Sequence, residues 1–137
     1  LKKSGAKEIL GTNHKFSVLL SGLDSARRIV DKNGIFAADV VIVPLEDGDR
    51  TMALRRAGKT VITFDLNPLS RTAQTANITI VDNVVRAIDL LIITCKKLSK
   101  KNKKTLEKIV KDFDNKKNLE DNIVEIRDYL TRRSNIA

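Results

Sequence analysis

The chain has 137 residues, 42% hydrophobic and 4% aromatic, with a formal net charge of +9. That length holds one domain with a real core rather than two, and that hydrophobic share excludes a disordered chain. The few aromatics, with no Trp among them, argue against a base-stacking platform for single-stranded nucleic acid, and the lone Cys95 excludes an internal disulfide or a cysteine-based metal site.

Residues 7–10 read as a short strand after a Ser-Gly turn, and residues 11–16 as irregular. Residues 23–31 can form a helix closed by Asn33-Gly34, which is good C-cap chemistry. Residues 39–45 read as a strand. Its heart, Val40-Val-Ile-Val43, is continuously apolar and β-branched, which predicts a strand covered on both faces. Pro44 ends it, having no N–H to donate. The polar run Glu46-Asp-Gly-Asp49 follows, with Asp49 as the expected N-cap of a helix through Ala57. Gly58 stops that helix, and a strand runs from Thr60 to Phe64. Strand, short helix, strand is a βαβ unit, whose crossover is right-handed in nearly every known case. Asn67-Pro68 then reads as N-cap plus N1-proline, and residues 77–81 as the next strand. Asp82 is expected to cap a long helix with Val84, Ala87, Ile88, Leu91, Ile92, Cys95 and Leu98 on its apolar face. Cys95 is expected to pack there as a small apolar side chain. Two further amphipathic helices follow. Leu106, Ile109, Val110 and Phe113 mark the first; Leu119, Ile123, Ile126 and Leu130 mark the second. The expected fold is therefore α/β: a Rossmann-like, mostly parallel sheet flanked by helices, with a C-terminal helical pair. Residues 1–137 form a single nucleotide-binding domain in this reading, with 103–133 a helical extension.

The positive charge is unevenly spread. Residues 96–137 hold 13 Lys and Arg against 7 Asp and Glu, and six lysines with no acid lie between Lys96 and Lys104. Such a run attracts any polyanion in a salt-sensitive way, but without interleaved aromatics it predicts no specific nucleic-acid partner. No signal peptide is visible, and no apolar run reaches the ~18 residues of a membrane span. The expected location is cytoplasmic. The chain begins at Leu1 in a segment resembling the end of a helix, and is expected to be a fragment.

The chemistry gathers after the central strand. In an open α/β sheet, ligands bind outside the carboxyl ends of the strands. There the sequence places Asp65, Leu66 and Asn67, then Ser70, Arg71, Thr72 and Thr75. One carboxylate, one amide, one guanidinium and several hydroxyls suit a phosphorylated, ribose-bearing ligand. Asp65 has two open readings, a ribose acceptor or an Asx turn. Glu46, Asp47 and Asp49 crowd the neighbouring strand end and can hold Mg2+ through water or serve turn and cap chemistry. Asn83, after the third strand, is expected near Asn67. The lone His14 has no visible partner, and no Ser/His/Asp or Cys/His constellation or Walker A loop is present, so neither hydrolytic nucleophile chemistry nor P-loop ATP use is expected. Arg50, Arg55 and Arg56 are expected to face away from the strand ends, leaving no second basic cluster there.

Four stretches carry a family resemblance: GIFAADVVIVPLEDGDR from Gly34 to Arg50, GKTVI from Gly58, DLNPLSRT from Asp65 to Thr72, and ITIVDNVVRA from Ile78 to Ala87. With the NKKNLE segment from Asn115, they make the chain similar to the archaeal phosphopantothenate synthetases, or 4-phosphopantoate–β-alanine ligases. The resemblance implies a homodimeric enzyme of coenzyme A biosynthesis. It would join 4-phosphopantoate to β-alanine with ATP and Mg2+, through an acyl adenylate, releasing AMP and pyrophosphate. It carries ATP contacts onto Asp65, Leu66, Asn67, Arg71, Thr72, Asn83 and Val84. Asp65 and Asn67 would hold ribose or base, with Arg71 and Thr72 near the phosphates. The resemblance names no catalytic or metal residue. It also implies an N-terminal region, absent from this sequence, that supplies further ATP contacts and much of the phosphopantoate pocket, so the chain alone is expected to be inactive as a ligase. The rival expectation is a non-catalytic α/β module whose basic tail docks RNA or another acidic partner.

Overall fold

The computed structural model describes residues 1–22 and 26–135. Two small sheets organise the chain. Strands β1 (Ser17–Leu19) and β2 (Ile29–Asp31) pair antiparallel. Strands β3 (Val40–Val43), β4 (Thr60–Phe64) and β5 (Ile78–Ile80) form a parallel sheet in the order β3-β4-β5. Helix α1 (Gly48–Arg56) links β3 to β4, and α2 (Arg71–Thr75) links β4 to β5. Helices α3 (Val84–Leu98), α4 (Lys103–Asp112) and α5 (Asn115–Ser134) complete the chain. The parallel sheet, its two βαβ links and the C-terminal helices thus match the α/β expectation.

Because the strand order advances in one direction, right-handed crossovers place α1 and α2 on the same face of the sheet, where they pack against each other. The core forms on that face from Leu20, Val30, Val41, Val43, Ala53, Leu54, Val61 and Ala76. The continuous apolar run of β3 is therefore misleading. Val41 and Val43 point into the core, whereas Val40 and Ile42 are each 52% exposed on the face the crossovers leave open.

The N-terminal third departs most from expectation. Residues 7–10 make no strand. Of the expected helix over 23–31, residues 23–25 lie outside the described residues; Ala26–Arg28 forms one 3-10 turn and Ile29–Asp31 is a strand. The β-branched pair Ile29-Val30 favours extended backbone, and pairing with β1 stabilises it. Asn33-Gly34 is no C-cap either: the Asn33 N–H donates to the Asp31 carboxylate at 2.8 Å. Gly11 N–H donates to the same carboxylate at 2.9 Å.

These backbone donors, Gly11 first and Asn33 next, hold the Asp31 carboxyl below its ordinary range against the opposing effect of burial. A depressed folded pKa contributes stability that is complete above the unfolded value, about pH 4, and is lost as pH falls through the lower folded value. Stability measured by urea unfolding should therefore decline on acidification below about pH 4, with an Asp31 component that the Asp31→Asn variant lacks. Identical acid profiles for the two proteins would contradict this.

Caps sit one to three residues from their expected places. Asp47, not Asp49, caps α1 by accepting from Arg50 N–H at 3.1 Å. Ser70, not Asn67, caps α2, accepting from Ala73 N–H at 2.9 Å. Asn83, not Asp82, caps α3, accepting from Val85 N–H at 2.9 Å. In α3 only Ala87 is buried. Ile88 and Ile92 are exposed, and Cys95 is exposed rather than packed. Helix α5 docks at its beginning: Leu119 is its buried residue, and Asn115 and Asn118 bond to the edge strand β5.

Candidate functional site

All three parallel strands deliver their carboxyl ends to one cleft of about 360 Å3. Pro44, Leu45 and Glu46 follow β3, Phe64 to Asn67 follow β4, and Asp82, Asn83 and Val84 follow β5. The register makes this possible. Ile62 stands opposite Ile42 and Ile78, so the strands end nearly level. Larger depressions lie elsewhere among the described residues. A groove of about 490 Å3 lies between Pro68 and Leu119 beside α5, and one of about 520 Å3 is lined by Ile93 and four lysines of the run. The groove beside α5 also holds a carboxylate and amides, from Glu120, Gln74 and Asn115, but it shares no lining residue with the strand-end cleft, and the lysine-lined depression has no carboxylate.

Five of the seven expected contact residues line the cleft: Asp65, Leu66, Asn67, Asn83 and Val84. Leu66 is 66% exposed and Val84 is half-buried, so both offer apolar surface. Asp65 has turned inward. It is buried, its Oδ1 accepts the Asn67 N–H at 2.9 Å, and its Oδ2 accepts the Ser70 hydroxyl proton. Asn67 in turn accepts the Leu69 N–H through Oδ1 at 2.9 Å. The segment is thus two successive Asx turns that carry the chain from β4 to the cap of α2. Arg71 and Thr72 stand outside the cleft lining. Thr72 has no exposed surface and its hydroxyl has no hydrogen-bond partner among the described residues. A ligand reaches that hydroxyl only if α2 shifts.

Asp82, at the cleft edge, pairs with Arg86 one helical turn on. That guanidinium, helped by the Asn83 N–H, holds the Asp82 carboxyl below its ordinary range, so it is charged at neutral pH.

The acidic loop differs from expectation in a way that matters. Asp47 and Asp49 are not left repelling each other in solvent. Arg27 pairs with Asp47 at 2.8 Å and with Asp49 at 3.4 Å, Arg71 pairs with Asp49 at 2.8 Å, and Arg50 Nε lies 3.9 Å from Asp47. Arg50 does not face away: a basic cluster exists, drawn from three distant parts of the chain. Arg55 and Arg56 are exposed at the far end of α1. Sequence reasoning missed the cluster because its members are 20 or more residues apart, and the acidic run itself was the only available signal. Among the described residues no group of three or more His, Cys, Asp or Glu side chains is placed to hold a metal ion, and no helix is long and apolar enough to cross a membrane.

Comparison with known proteins bears on the same segments. The sequence pattern of the family described as phosphopantothenate/pantothenate synthetase matches residues 1–129. A 4-phosphopantoate–β-alanine ligase of Methanosarcina mazei is 50% identical over 130 residues, covering 95% of this chain and 50% of the relative. Its counterpart in Thermococcus kodakarensis is 53% identical over 125 residues, covering 91% of this chain and 47% of the relative. The chain spans about half the length of these curated relatives, and the reading as a non-catalytic RNA-docking module is not favoured. The strand-end cleft, with its Asp-Leu-Asn turn, lies within the matched region of a chain that belongs to the phosphopantothenate/pantothenate synthetase family.

Proposed function

We propose that this chain is the nucleotide-holding part of a ligase that joins 4-phosphopantoate to β-alanine, using ATP and releasing AMP and pyrophosphate. The observation that carries the reading is the convergence of Asp65, Leu66, Asn67, Asn83 and Val84 on one strand-end cleft. In this reading Leu66 and Val84 flank the adenine, and the Asn67 amide, whose Oδ1 is engaged by Leu69, offers its N–H2 donors to base or ribose. Asp65 acts through the loop it holds. Arg71 meets the phosphates, where a guanidinium suits paired oxygens. Mg2+ would ride on the phosphates and water, as it commonly does. Glu46 lines the cleft outside the arginine network and is the carboxylate we assign to approach it. The metal would neutralise phosphate charge. The chain's own residues would orient the nucleotide, which is where much of the rate of such a reaction arises. The working protein is a homodimer of the cytoplasm.

Calorimetric titration with ATP, GTP and NAD in Mg2+ tests this reading. ATP should bind best, and Asn67→Ala should weaken it about fivefold, the loss of about 1 kcal/mol from one hydrogen bond. AMP release by the ligase should require 4-phosphopantoate. Equal affinity for NAD and ATP, or unchanged ATP affinity in folded Asn67→Ala, would refute the assignment.

A further inference from the structure

We propose that Gly48 and Asp49 are positioning residues that set the conformation in which Arg71 meets the nucleotide phosphates. The inference rests on the reading of Arg71 as a phosphate ligand.

Gly48 opens α1 beside the start of α2. It has no side chain, and Arg71 lies across the space one would fill. A Cβ placed on Gly48 would stand 2.6 Å from Arg71 Nε, 3.2 Å from its Cβ and 3.3 Å from its Cγ. Backbone conformation does not require glycine here, since Gly48 is absent from the positive-φ residues. Helix propensity disfavours it. What glycine supplies is room for the arginine stem. The next residue, Asp49, then takes the guanidinium through Nη2 at 2.8 Å.

This clamp leaves Arg71 available. Its side chain remains 61% exposed, and a guanidinium has five N–H donors, of which the Asp49 pair engages only part. A free arginine loses much rotamer freedom on gripping an anion. One already laid over Gly48 and tethered by Asp49 has lost it beforehand, and preorganisation of this kind raises affinity. Asp49 lies in the first turn of α1, three residues after the Glu46 that walls the cleft, so the tether ties the guanidinium to the start of that helix.

The test is a calorimetric comparison of ATP and adenosine binding to the 137-residue chain, with melting curves, for the wild type, Gly48→Ala, Arg71→Ala and the double variant. Both single variants should lose about tenfold or more in ATP affinity, as a charge-assisted contact implies, and leave adenosine unchanged. Gly48→Ala should melt within a few degrees of the wild type, helix propensity offsetting the displaced side chain, and should add nothing in the Arg71→Ala background. If Arg71→Ala weakens ATP while Gly48→Ala does not, the positioning role is overturned. If Arg71→Ala leaves ATP affinity intact, the phosphate-ligand reading fails first and takes this inference with it. Asp49→Asn adds no volume and so guards against misfolding of Gly48→Ala. It should weaken ATP several-fold, although deleting a negative charge near a triphosphate would by itself tighten binding. Tighter binding would therefore also overturn the proposal.

Discussion

Asp65→Ala is expected to lower the stability of the folded chain by about 3 kcal/mol, because two donors lose a buried acceptor. The carboxylate sits at the end of β4 with 8% of its residue surface exposed. It accepts the Asn67 N–H and the Ser70 hydroxyl, and Ser70 Oγ in turn caps α2 at Ala73. One side chain thus links a strand, a turn and a helix start. Alanine removes both acceptors and frees the hydroxyl that orients the cap. Asp65→Asn should cost only about 1 kcal/mol, since its Oδ1 still accepts from Asn67 and its amide can donate to Ser70 Oγ. ATP affinity should fall with alanine, as Leu66 and Asn67 lose their fixed turn. Urea denaturation with parallel ATP titration reads both effects. If Asp65→Ala proved as stable as the wild type but blind to ATP, the carboxylate would be a direct ligand contact rather than a strut.

Asn115→Ala should cost about 2–3 kcal/mol and loosen α5 from the sheet. The Asn115 side chain accepts the Thr79 N–H at 2.8 Å and donates to Ala73 O and Ala76 O at 3.2 Å and to Thr79 Oγ1 at 3.3 Å. Strand β5 is the edge of the parallel sheet, and its outward N–H at Thr79 has no neighbouring strand to pair with. Asn115 closes that edge, and Asn118 does the same for Thr79 O at 3.0 Å. Such closure also blunts the edge against pairing with other chains. Asn115→Asp should be at least as harmful: the acceptor survives, but a carboxylate then faces two carbonyl oxygens. Denaturant midpoints and hydrogen exchange at Thr79 measure the effect. Unaltered exchange at Thr79 in Asn115→Ala would show that α5 docks by Leu119 and its apolar neighbours alone.

The central βαβ unit was legible because its signals are local. Val40 to Val43 and Thr60 to Thr63 are β-branched runs bounded by Pro44, Gly58 and Asn67, and a short helical pattern between them allows little else. Caps were legible as chemistry but not as position. Residues 46–49 hold three carboxylates and residues 82–83 an acid and an amide, and any of them can cap. The choice depends on where the preceding strand ends. The hairpin of β1 and β2 was not legible, because Ile29 to Asp31 becomes a strand through pairing with residues 17–19, a contact with no trace in local periodicity.

The site divides in the same way. The sequence by itself determined that Asp65, Leu66, Asn67, Asn83 and Val84 stand at strand ends, because strand polarity and βαβ connection place such residues together in any parallel sheet. Only the tertiary structure decided which way they face. Asp65 turns into its own loop, Thr72 is sealed on the buried face of α2, and Arg71 lies over Gly48 to reach Asp49. Those orientations follow from the close approach of α1 and α2 and from ion pairs between residues 20 or more positions apart. A side chain's direction is fixed by the neighbours that packing supplies, and sequence spacing does not encode them.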